Sequence, residues 1–387
     1  MKTQSVSETI AGALFNTGVK VLTYVPGFGA NEVFEDFNRL AQLQNPLSFN
    51  EEVAYSIAHG AGLAGTRAAT LMKSHGFIKA GNSVIDSLYS GTTAGLIAII
   101  FKDSSGRQSD SILNIEAFLD GIGIRYEMLD QDNIYPQLFR LFEQAQKDSL
   151  PYALVVDSEG ILQSVPTQDD VAHDLACLQY KRDITQHVLC PFFVDYQHNV
   201  LNRKNNGQDW RSIPKPIVPR IPDSLPDKWK PVAASYTRLF SVFRSIRGSI
   251  VVGDTGVSSL FAFEPFSCID ITTYMGGSVP LAIGAYLGGH RDVWALTGDF
   301  SFIAAGHMGL LEAQQREIPL KLLIFYNGKA ETTGGQPIPE NTLETVLYGY
   351  NRYIRFINNP QDCDEIESVL NQANRSETME IVIADYR

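Results

Sequence analysis

Short apolar strands alternate with amphipathic helices in two long stretches of this sequence, and this alternation restricts the fold more than any other feature. In residues 1–165 the strand-like segments are VLTYVP, AATLMK, GLIAIIF and YALVVD, accompanied by the helix-like segments SVSETIAGALFNTG and NEEVAYSIAHGAGLAG. The alternation resumes from residue 233 in SIVVGD, CIDITT, DVWALTGD, KLLIFYN and MEIVIADYR. Alternating strands and helices typically build a parallel sheet that helices cover on both faces. We therefore predict two α/β domains with doubly wound parallel sheets, in residues 1–165 and 233–387.

The residues between these two stretches have a different character. Residues 166–232 are polar, rich in proline towards their end and only weakly periodic. Such a composition is typical of a connection rather than of a packed domain. We predict a long linker that is partly helical and partly extended over the surface.

The composition argues against several classes of function. The chain of 387 residues has a formal net charge of −12, which disfavours a nucleic acid or an anionic membrane as partner. No apolar run reaches the roughly 18 residues that a membrane span needs, and the opening segment MKTQSVSETIAGALFNTGVK lacks the pattern of a signal peptide. The cysteines form no CxxC pair, which excludes an internal ferredoxin-type cluster motif and a cysteine-rich zinc site. We expect a cytoplasmic protein.

Two strands of the second stretch run directly into polar residues. VWALTG is followed by Asp299, KLLIFY is followed by Asn327, and one predicted helix lies between them. Parallel strands bind ligands at their carboxyl ends, and neighbouring strands are about 4.8 Å apart, so both side chains could reach one small cation. Their oxygen atoms suit Mg²⁺ or Ca²⁺, and the segment from Gly298 into the helix could approach phosphate oxygens. The alternative is that Asp299 only caps the helix.

The segment from Gly298-Asp299 to Asn327 resembles the thiamine diphosphate (ThDP) motif of ThDP-dependent enzymes in its GD pair, its length and its final asparagine. The resemblance implies that Asp299, Asn327 and the backbone carbonyl of Lys329 hold Mg²⁺ on the diphosphate. It also implies cofactor contacts at Gly298, Phe300 and Ser301, with Phe300 in place of the usual third glycine.

The segment TTYMGGSVPLAIGAYLG resembles the part of these enzymes in which a bulky apolar residue separates the two rings of the cofactor. By this resemblance the wedge is Met275, and the carbonyl of Thr273 accepts a hydrogen bond from the 4′-amino group. The alternative for an isolated methionine is a place in the core. Upstream, VVGDTGVSS ends another strand with small groups that suit a diphosphate, where a plain turn is the alternative: Gly253, Asp254, Thr255 and Ser258.

The N-terminal stretch contains a candidate activating carboxylate. Glu51 begins the helix of NEEVAYSIAHGAGLAG, whose small residues at helical spacing resemble the pyrimidine-domain helix of the same superfamily. The resemblance implies that Glu51 hydrogen-bonds N1′ of the aminopyrimidine. Glutamate is also common at helix N-termini for dipole reasons, and Glu52 is the neighbouring alternative. In MKSHG, His75 is a candidate acid/base group because its ordinary pKa is close to neutrality, and a structural histidine is the alternative.

The short two-domain form resembles two groups within the superfamily. YNGKAETTGGQP is similar to a run of phosphonopyruvate decarboxylases, and the form also resembles that of sulfopyruvate decarboxylases. The same run and NEEVAYSIAHGAGLAGTRAATLMKSHG are equally similar to the α-subunit of indolepyruvate ferredoxin oxidoreductases. Both groups imply loss of CO₂ from a 2-oxo acid through an enamine. Protonation of the enamine gives an aldehyde, whereas oxidation passes electrons to iron–sulfur clusters held by cysteine runs.

The sequence reaches EIVIADYR without such a cysteine run, and we therefore expect non-oxidative decarboxylation. The alternatives are a carboligase, an oxidoreductase subunit that needs a separate iron–sulfur partner, and a non-catalytic ThDP-binding protein. The resemblance further implies a homodimer or homotetramer with the ThDP site between chains. An acidic substrate such as a phosphonate would find candidate cations in Arg67, Lys73, Lys79 and Lys329.

Overall fold

The computed structural model describes residues 3–167 and 178–387. The chain forms two compact units, Met1–Tyr180 with Leu287–Gly289 and Lys181–Tyr286 with His290–Arg387. Each unit contains a parallel sheet, and the predicted fold class is confirmed. No helix among the described residues is both long and apolar enough to cross a bilayer.

The N-terminal unit is built on a parallel five-stranded sheet in the order β2-β3-β4-β6-β5. Its central strands are almost completely buried, which explains why AATLMK and GLIAIIF are continuously apolar rather than alternating. A two-stranded antiparallel ribbon, β1–β7, joins the start and the end of the unit. The strands are β1 (Thr3–Ser5), β2 (Val21–Tyr24), β3 (Ala68–Lys73), β4 (Leu96–Lys102), β5 (Arg125–Met128), β6 (Tyr152–Asp157) and β7 (Ser164–Pro166). The α-helices are α1 (Val6–Asn16), α2 (Ala30–Ala41), α3 (Glu51–Leu63), α4 (Ser74–Lys79), α5 (Gly81–Ser90), α6 (Ile115–Ile122) and α7 (Ile134–Asp148), with a 3₁₀ turn at Ser158–Gly160.

The C-terminal unit is built on a parallel six-stranded sheet in the order β14-β15-β11-β10-β8-β9. The strands are β8 (Ile250–Asp254), β9 (Ile271–Thr273), β10 (Val293–Gly298), β11 (Lys321–Tyr326), β12 (Lys329–Ala330), β13 (Gln336–Pro337), β14 (Ile354–Ile357) and β15 (Glu380–Asp385). The α-helices are α8 (Ile184–His187), α9 (Val194–Asn205), α10 (Lys230–Ile246), α11 (Ser278–Leu287), α12 (Asp299–Ser301), α13 (Met308–Gln315), α14 (Thr342–Leu347) and α15 (Cys363–Arg375). Phe302–Gly306 forms a π-helical turn, and 3₁₀ turns occupy Asp227–Trp229, Val257–Ala262, Glu331–Thr333 and Tyr348–Tyr353.

The register of β10 and β11 sets the position of the site. Gly298 pairs with Phe325, so the residues that follow the two strands emerge side by side at the carboxyl edge of the sheet. Both strands are buried almost throughout, and the polar residues therefore begin where the buried strands end. This is the arrangement that the strand-end pattern predicted.

Most of the expected linker, residues 166–232, belongs to the C-terminal unit in the structure. Residues 181–232 belong to the C-terminal unit, and several of their apolar side chains join its core with relative exposures below one tenth, as at Ile184, Phe193 and Leu225. These residues are spread over a short helix, loops and α9, so their spacing has neither a helical nor a strand period. Their packing role was for that reason invisible in the sequence pattern. Residues 168–177 of the predicted linker lie outside the described part.

Candidate cofactor site

The carboxyl ends of β10 and β11 bring Asp299 and Asn327 together. Asp299 is the first residue of α12, directly after β10, and Asn327 follows β11. Oδ2 of Asp299 accepts the backbone N–H of Asn327 at 3.0 Å and that of Gly328 at 2.6 Å. Its Oδ1 accepts the N–H of Phe300 at 2.7 Å. The carboxylate is therefore fixed where the two strands end.

The electrostatic environment of Asp299 favours a cation. Its side chain is 1% exposed, and burial raises the pKa of the carboxyl above its ordinary value, although the three backbone donors oppose this shift. Within the described residues, no ion pair includes Asp299. A buried carboxylate without a cationic side chain is costly, and a bound metal ion would remove this cost.

Asn327 is oriented by Lys329 and by two residues that the motif did not identify, Tyr236 and Glu331. Its Nδ2 donates to the hydroxyl of Tyr236 at 3.1 Å and to Glu331 at 3.3 Å, while its Oδ1 accepts the backbone N–H of Lys329 at 3.1 Å. Burial raises the pKa of Tyr236 to about 12, so its hydroxyl stays protonated at neutral pH. The carboxylate, the amide oxygen and the nearby backbone carbonyl of Lys329 are hard oxygen donors, and the residues present therefore fit Mg²⁺.

A cavity of about 190 Å³ lies against these residues. The predicted site residues that line it are Thr255, Ser258, Met275, Gly298, Asp299, Phe300, Ser301, Asn327 and Lys329. The structure adds lining residues that the sequence did not reveal: Tyr236, Gly256, Val257, Phe325, Ala330, Glu331, Thr332 and Thr333. Ala330 and Glu331–Thr333 belong to the segment KAETTGG, whose similarity to family runs was the only signal for them. The cavity unites strand ends and loops from both halves of the sheet.

Asp254, a predicted cofactor contact, is engaged by other groups of the protein in this structure. Its side chain is 1% exposed and is not part of the described lining of the cavity. Its oxygens accept the backbone N–H groups of Gly276 and Ser278, each at 2.9 Å, and the hydroxyl of Thr297. Burial raises its pKa to about 6. Asp254 thus holds the turn before α11 in place, because its oxygens are engaged by the protein.

That turn presents Met275 at the cavity. Met275 is 41% exposed, unlike a core methionine, and it precedes Gly276. Gly276 has φ +82°, and a Cβ there would lie 2.4 Å from the backbone nitrogen of Gly306. Only glycine fits this close approach to the π-helical turn. The predicted wedge position of Met275 is therefore compatible with the turn, and its contact with a cofactor stays a prediction.

The other two predicted residues of this region are buried. Thr273 is 3% exposed, and its carbonyl accepts the backbone N–H of Thr255 at 2.7 Å. Because a carbonyl oxygen can accept two hydrogen bonds, this contact is compatible with the predicted acceptor role. Gly253 lies within β8, where a Cβ would come 3.2 Å from Ile269. Neither residue is in the described lining of the cavity.

In the N-terminal unit, Glu51 is the first residue of α3. Asn50 caps this helix by accepting the N–H groups of Glu52 and Val53. Oε2 of Glu51 accepts from Nζ of Lys79 at 2.8 Å. A Cβ at Gly76 would lie 2.6 Å from Cγ of Glu51, so glycine there permits the close packing of Glu51.

The alternatives to Glu51 and the role of His75 stay open. Burial raises the pKa of Glu52, and the hydrogen bond from Asn82 and the charge of Lys79 only partly offset this shift. His75 is exposed on α4, and its Nε2 lies 2.8 Å from Oγ of Ser111. An exposed imidazole with one hydroxyl partner can exchange protons, which is what an acid/base group requires.

Comparison with known proteins places the described cavity in a recognised domain. Residues 252–369 match the family model of the thiamine pyrophosphate enzyme, C-terminal TPP binding domain. The indolepyruvate oxidoreductase subunit IorA of Archaeoglobus fulgidus is 29% identical over 166 residues, which are 40% of this chain and 27% of that relative. IorA of Methanothermobacter marburgensis is 29% identical over 102 residues, or 26% of this chain and 16% of the relative. The matches thus span about a quarter or less of these relatives.

Solved structures resemble the chain over nearly its whole length. Benzoylformate decarboxylase from Polynucleobacter necessarius aligns with a TM-score of 0.66 at 12% identity and covers 98% of both chains. The thiamine diphosphate-dependent 4-hydroxybenzoylformate decarboxylase of Rhodococcus jostii RHA1 aligns with a TM-score of 0.67 at 14% identity, again over 98% of both chains. At these identities the similarity establishes a common fold.

Proposed function

We infer that this chain, a member of the thiamine diphosphate-dependent enzyme superfamily, uses ThDP and Mg²⁺ to decarboxylate a 2-oxo acid without oxidation. The observation that supports this best is the buried carboxylate of Asp299 beside Asn327, at the strand ends of the matched domain. A carboxylate without a cationic side-chain partner among the described residues, next to a cavity, suits a metal-bound diphosphate. The scattered cysteines support a cytoplasmic location.

In this proposal the chain's own residues hold and orient the cofactor. Asp299, Asn327 and the carbonyl of Lys329 bind the metal ion, and the hydroxyls of Thr255 and Ser258 contact the diphosphate. When bound, ThDP supplies a nucleophilic carbon and takes up the electron pair that the departing CO₂ leaves behind.

The remaining residues set the conformation of the cofactor and take part in proton transfer. Met275 fixes the bent form of the cofactor by filling the space between its rings. Glu51 hydrogen-bonds the ring nitrogen N1′ of the pyrimidine, and His75 is the group that exchanges a proton with the substrate. Each role rests on the sequence resemblance together with the positions described above.

The proposal is tested by binding and by CO₂ release. Calorimetry with ThDP should give binding in the presence of Mg²⁺ and strongly reduced binding in EDTA. CO₂ release should then be measured from pyruvate, phenylpyruvate, phosphonopyruvate and sulfopyruvate, with ThDP and Mg²⁺ and without an electron acceptor. Cofactor-dependent release from any of these acids supports the proposal. ThDP binding without release from an extended panel of 2-oxo acids would contradict non-oxidative decarboxylation.

The IorA relatives favour a second candidate, oxidation of a 2-oxo acid with a partner subunit. This function predicts CO₂ release only when an electron acceptor is present. Adding a viologen dye and a ferredoxin-type partner to the same assay distinguishes the two. A carboligase would instead consume a second aldehyde, which the same assay detects as a coupled product.

A further inference from the structure

The side-chain amide of Asn327 has one hydrogen-bonding position left over. A carboxamide carries two N–H donors and an oxygen with two lone pairs. Nδ2 uses both donors, one on the hydroxyl of Tyr236 at 3.1 Å and one on Oε2 of Glu331 at 3.3 Å. Oδ1 accepts the backbone N–H of Lys329 at 3.1 Å. Among the described residues, one lone pair of Oδ1 therefore remains for a metal ion.

The orientation of this amide decides which of its two ends faces the metal. The oxygen and the nitrogen of a carboxamide occupy nearly the same shape, so the groups that hydrogen-bond to them determine which end lies where. An amide turned the other way would present N–H groups, which repel a cation and cannot bind it. Metal binding by Asn327 therefore depends on the neighbours that fix its amide.

The three neighbours differ in how strictly they fix the amide. The hydroxyl of Tyr236 leaves the choice open, because a hydroxyl can both donate and accept. The carboxylate of Glu331 can only accept, so it requires Nδ2 on its side. The backbone N–H of Lys329 can only donate, and almost any residue at that position would supply it. Glu331 is therefore the side chain that selects the orientation.

Glu331 also contacts Lys329, whose backbone carbonyl is the third predicted ligand. Its Oε2 pairs with Nζ of Lys329 at 2.9 Å, and the same oxygen accepts from Asn327. Glu331 is only partly buried and lines the cofactor cavity. One carboxylate oxygen thus connects two of the three predicted metal ligands.

The backbone carbonyl of Lys329 receives no hydrogen bond from the neighbouring strand. Lys329 pairs with Pro337 in the β12–β13 ribbon, and proline has no N–H group. The adjoining bond of the ribbon runs from the N–H of Ile338 to the carbonyl of Gly328 at 2.8 Å. In an antiparallel pair of this kind the carbonyl of Lys329 points away from β13, as a metal ligand would require.

We propose that Glu331 is a positioning residue of the metal site, which turns the oxygen of Asn327 towards the metal ion by accepting a hydrogen bond from Nδ2. This inference rests on the proposed function, because it takes Asn327 as a ligand of the metal. Glu331 acts through its acceptor oxygen rather than through its charge. Replacing an outer partner of a metal ligand typically lowers metal affinity about 10–100-fold.

Two neutral replacements separate the hydrogen bond of Glu331 from its charge. Glu331→Gln keeps an oxygen that can accept from Nδ2, whereas Glu331→Leu has a similar size and no acceptor. Electron paramagnetic resonance measures the affinity for Mn²⁺, the probe for the metal site, in the presence of ThDP. Glu331→Leu should bind Mn²⁺ about tenfold more weakly than Glu331→Gln. Equal affinities would overturn the inference, since both variants lack the charge.

The same two replacements in an Asn327→Asp background test whether Glu331 acts through the amide. Both terminal atoms of an aspartate are oxygens, so no orientation has to be selected. The Gln and Leu variants at position 331 should then agree in Mn²⁺ affinity within about twofold, the accuracy to which independent substitutions add. A difference of about tenfold that persisted here would assign Glu331 to the fold of its loop instead, and would contradict the inference.

Glu344 provides a matched control in the same unit. Its carboxylate accepts from the hydroxyl of Tyr326 at 3.0 Å, but it is not in the described lining of the cofactor cavity. Glu344→Gln and Glu344→Leu should both bind Mn²⁺ like the wild type, and a loss in Glu344→Leu as large as in Glu331→Leu would speak against a specific role of Glu331. Urea unfolding in EDTA shows whether each variant is folded. Glu331→Ala, which also lacks an acceptor, replaces Glu331→Leu if that variant does not fold.

The outcomes separate this inference from the proposed function. If the wild type bound Mn²⁺ with ThDP but released no CO₂ from any 2-oxo acid, the decarboxylase proposal would fail, and the difference between Glu331→Gln and Glu331→Leu would still decide the role of Glu331. If the wild type bound no Mn²⁺ in the presence of ThDP, the metal site itself would be contradicted, and the role of Glu331 with it.

Discussion

At the scale of single residues, the proposed metal site depends most on Asp299. Its carboxylate is buried, hydrogen-bonded to three backbone N–H groups and unpaired with any cationic side chain among the described residues. Asp299→Asn preserves the shape and removes the charge. Because a neutral amide is a poor ligand for Mg²⁺, we expect the affinity for ThDP with Mg²⁺ to fall about 100-fold by calorimetry.

Asp385 provides the control for this substitution. It ends β15 at the same edge of the sheet, but it pairs with Arg387 at 2.7 Å and does not line the cavity. Asp385→Asn should bind ThDP with wild-type affinity. If Asp299→Asn also bound normally, the metal site would have to lie elsewhere.

Asp254 leads to a prediction about pH. Its pKa is about 6 in the folded protein against an ordinary 3.8, because the carboxyl is buried. Between these values the folded protein holds a proton that the unfolded chain has released, so a rise in pH lowers the free energy of unfolding. Asp254→Asn removes this titration and sets an N–H group against the donors of Gly276 and Thr297. We expect a loss of about 1–3 kcal/mol that is larger at pH 5 than at pH 7, measured by urea unfolding.

The control for this pH effect is Asp385, whose pKa is shifted in the opposite direction. The hydrogen bond from Arg387 lowers the pKa of Asp385 below its ordinary value of 3.8. The stability that Asp385 contributes is therefore fully present at pH 5 and above, and it is lost only as the pH falls below that ordinary pKa. The effect of Asp385→Asn should therefore be the same at pH 5 and pH 7. A pH-independent loss in Asp254→Asn as well would contradict the assigned titration.

The sequence identified some of these residues and not others for physical reasons. Asp299 and Asn327 were predictable because parallel strands expose the residues that follow them at one edge. The engagement of Asp254 by the protein was not predictable, because a strand-terminal carboxylate looks the same in sequence whether it faces a ligand or the backbone of a turn; its contact with a cofactor stays a prediction. Tyr236 was missed because it contacts Asn327 from α10, 91 positions away, without any motif.

At the scale of elements, the turn before α11 depends on the absence of a side chain. In Gly276→Ala, the new Cβ would meet the backbone of Gly306 at 2.4 Å in addition to the strain of a positive φ. Gly289→Ala isolates the strain, because Gly289 has φ +108° and open space around its Cβ position. We expect Gly289→Ala to cost about 1 kcal/mol and Gly276→Ala about 2 kcal/mol more, by urea unfolding. Equal costs would show that the π-helical turn yields to the new methyl group.

The N-terminus of α3 distinguishes two adjacent carboxylates. Glu51→Gln should keep the affinity for ThDP within a few-fold and lower kcat by a factor of about 10²–10⁴, since an amide cannot exchange a proton with N1′ of the pyrimidine. Glu52→Gln is the matched control and should retain most of the activity. The measurements are calorimetry for the cofactor and the rate of CO₂ release, with C2 proton exchange of bound ThDP followed by NMR. Full activity in Glu51→Gln with loss in Glu52→Gln would exchange the two assignments.

The segment after residue 180 shows where prediction of elements fails. The central strands of both sheets were visible because their buried faces produce continuous apolar runs. The partly buried edge strands β5 and β14 were not predicted. In contrast, Ile184, Phe193 and Leu225 enter the core from irregular loops and short helices, and only the folded chain brings them together. The same irregular segment supplies much of the lining of a cavity of about 380 Å³, so the part of the chain that pattern analysis set aside also shapes the surface of the C-terminal unit.

At the scale of the whole molecule, the two units carry different parts of the proposed chemistry. Glu51 belongs to the N-terminal unit, and Asp299 belongs to the C-terminal unit. We propose that each active site combines Glu51 of one chain with Asp299 of another, as the sequence resemblance implies. Sedimentation should then show a dimer or a tetramer at micromolar concentration. A strict monomer would contradict this arrangement.

Complementation between two inactive variants tests the arrangement directly. In a mixed dimer of Glu51→Gln and Asp299→Asn chains, one site contains both substitutions and the other contains neither. Random mixing of equal amounts makes half of the dimers mixed, so co-refolded chains should recover about a quarter of the wild-type activity, although each variant alone has little activity at a ThDP concentration too low to saturate Asp299→Asn. If both groups of a site came from one chain, every site in the mixture would carry one substitution and no activity would return. A double variant mixed with wild-type chains controls for the exchange of subunits, because its dilution of activity reveals that mixed dimers have formed.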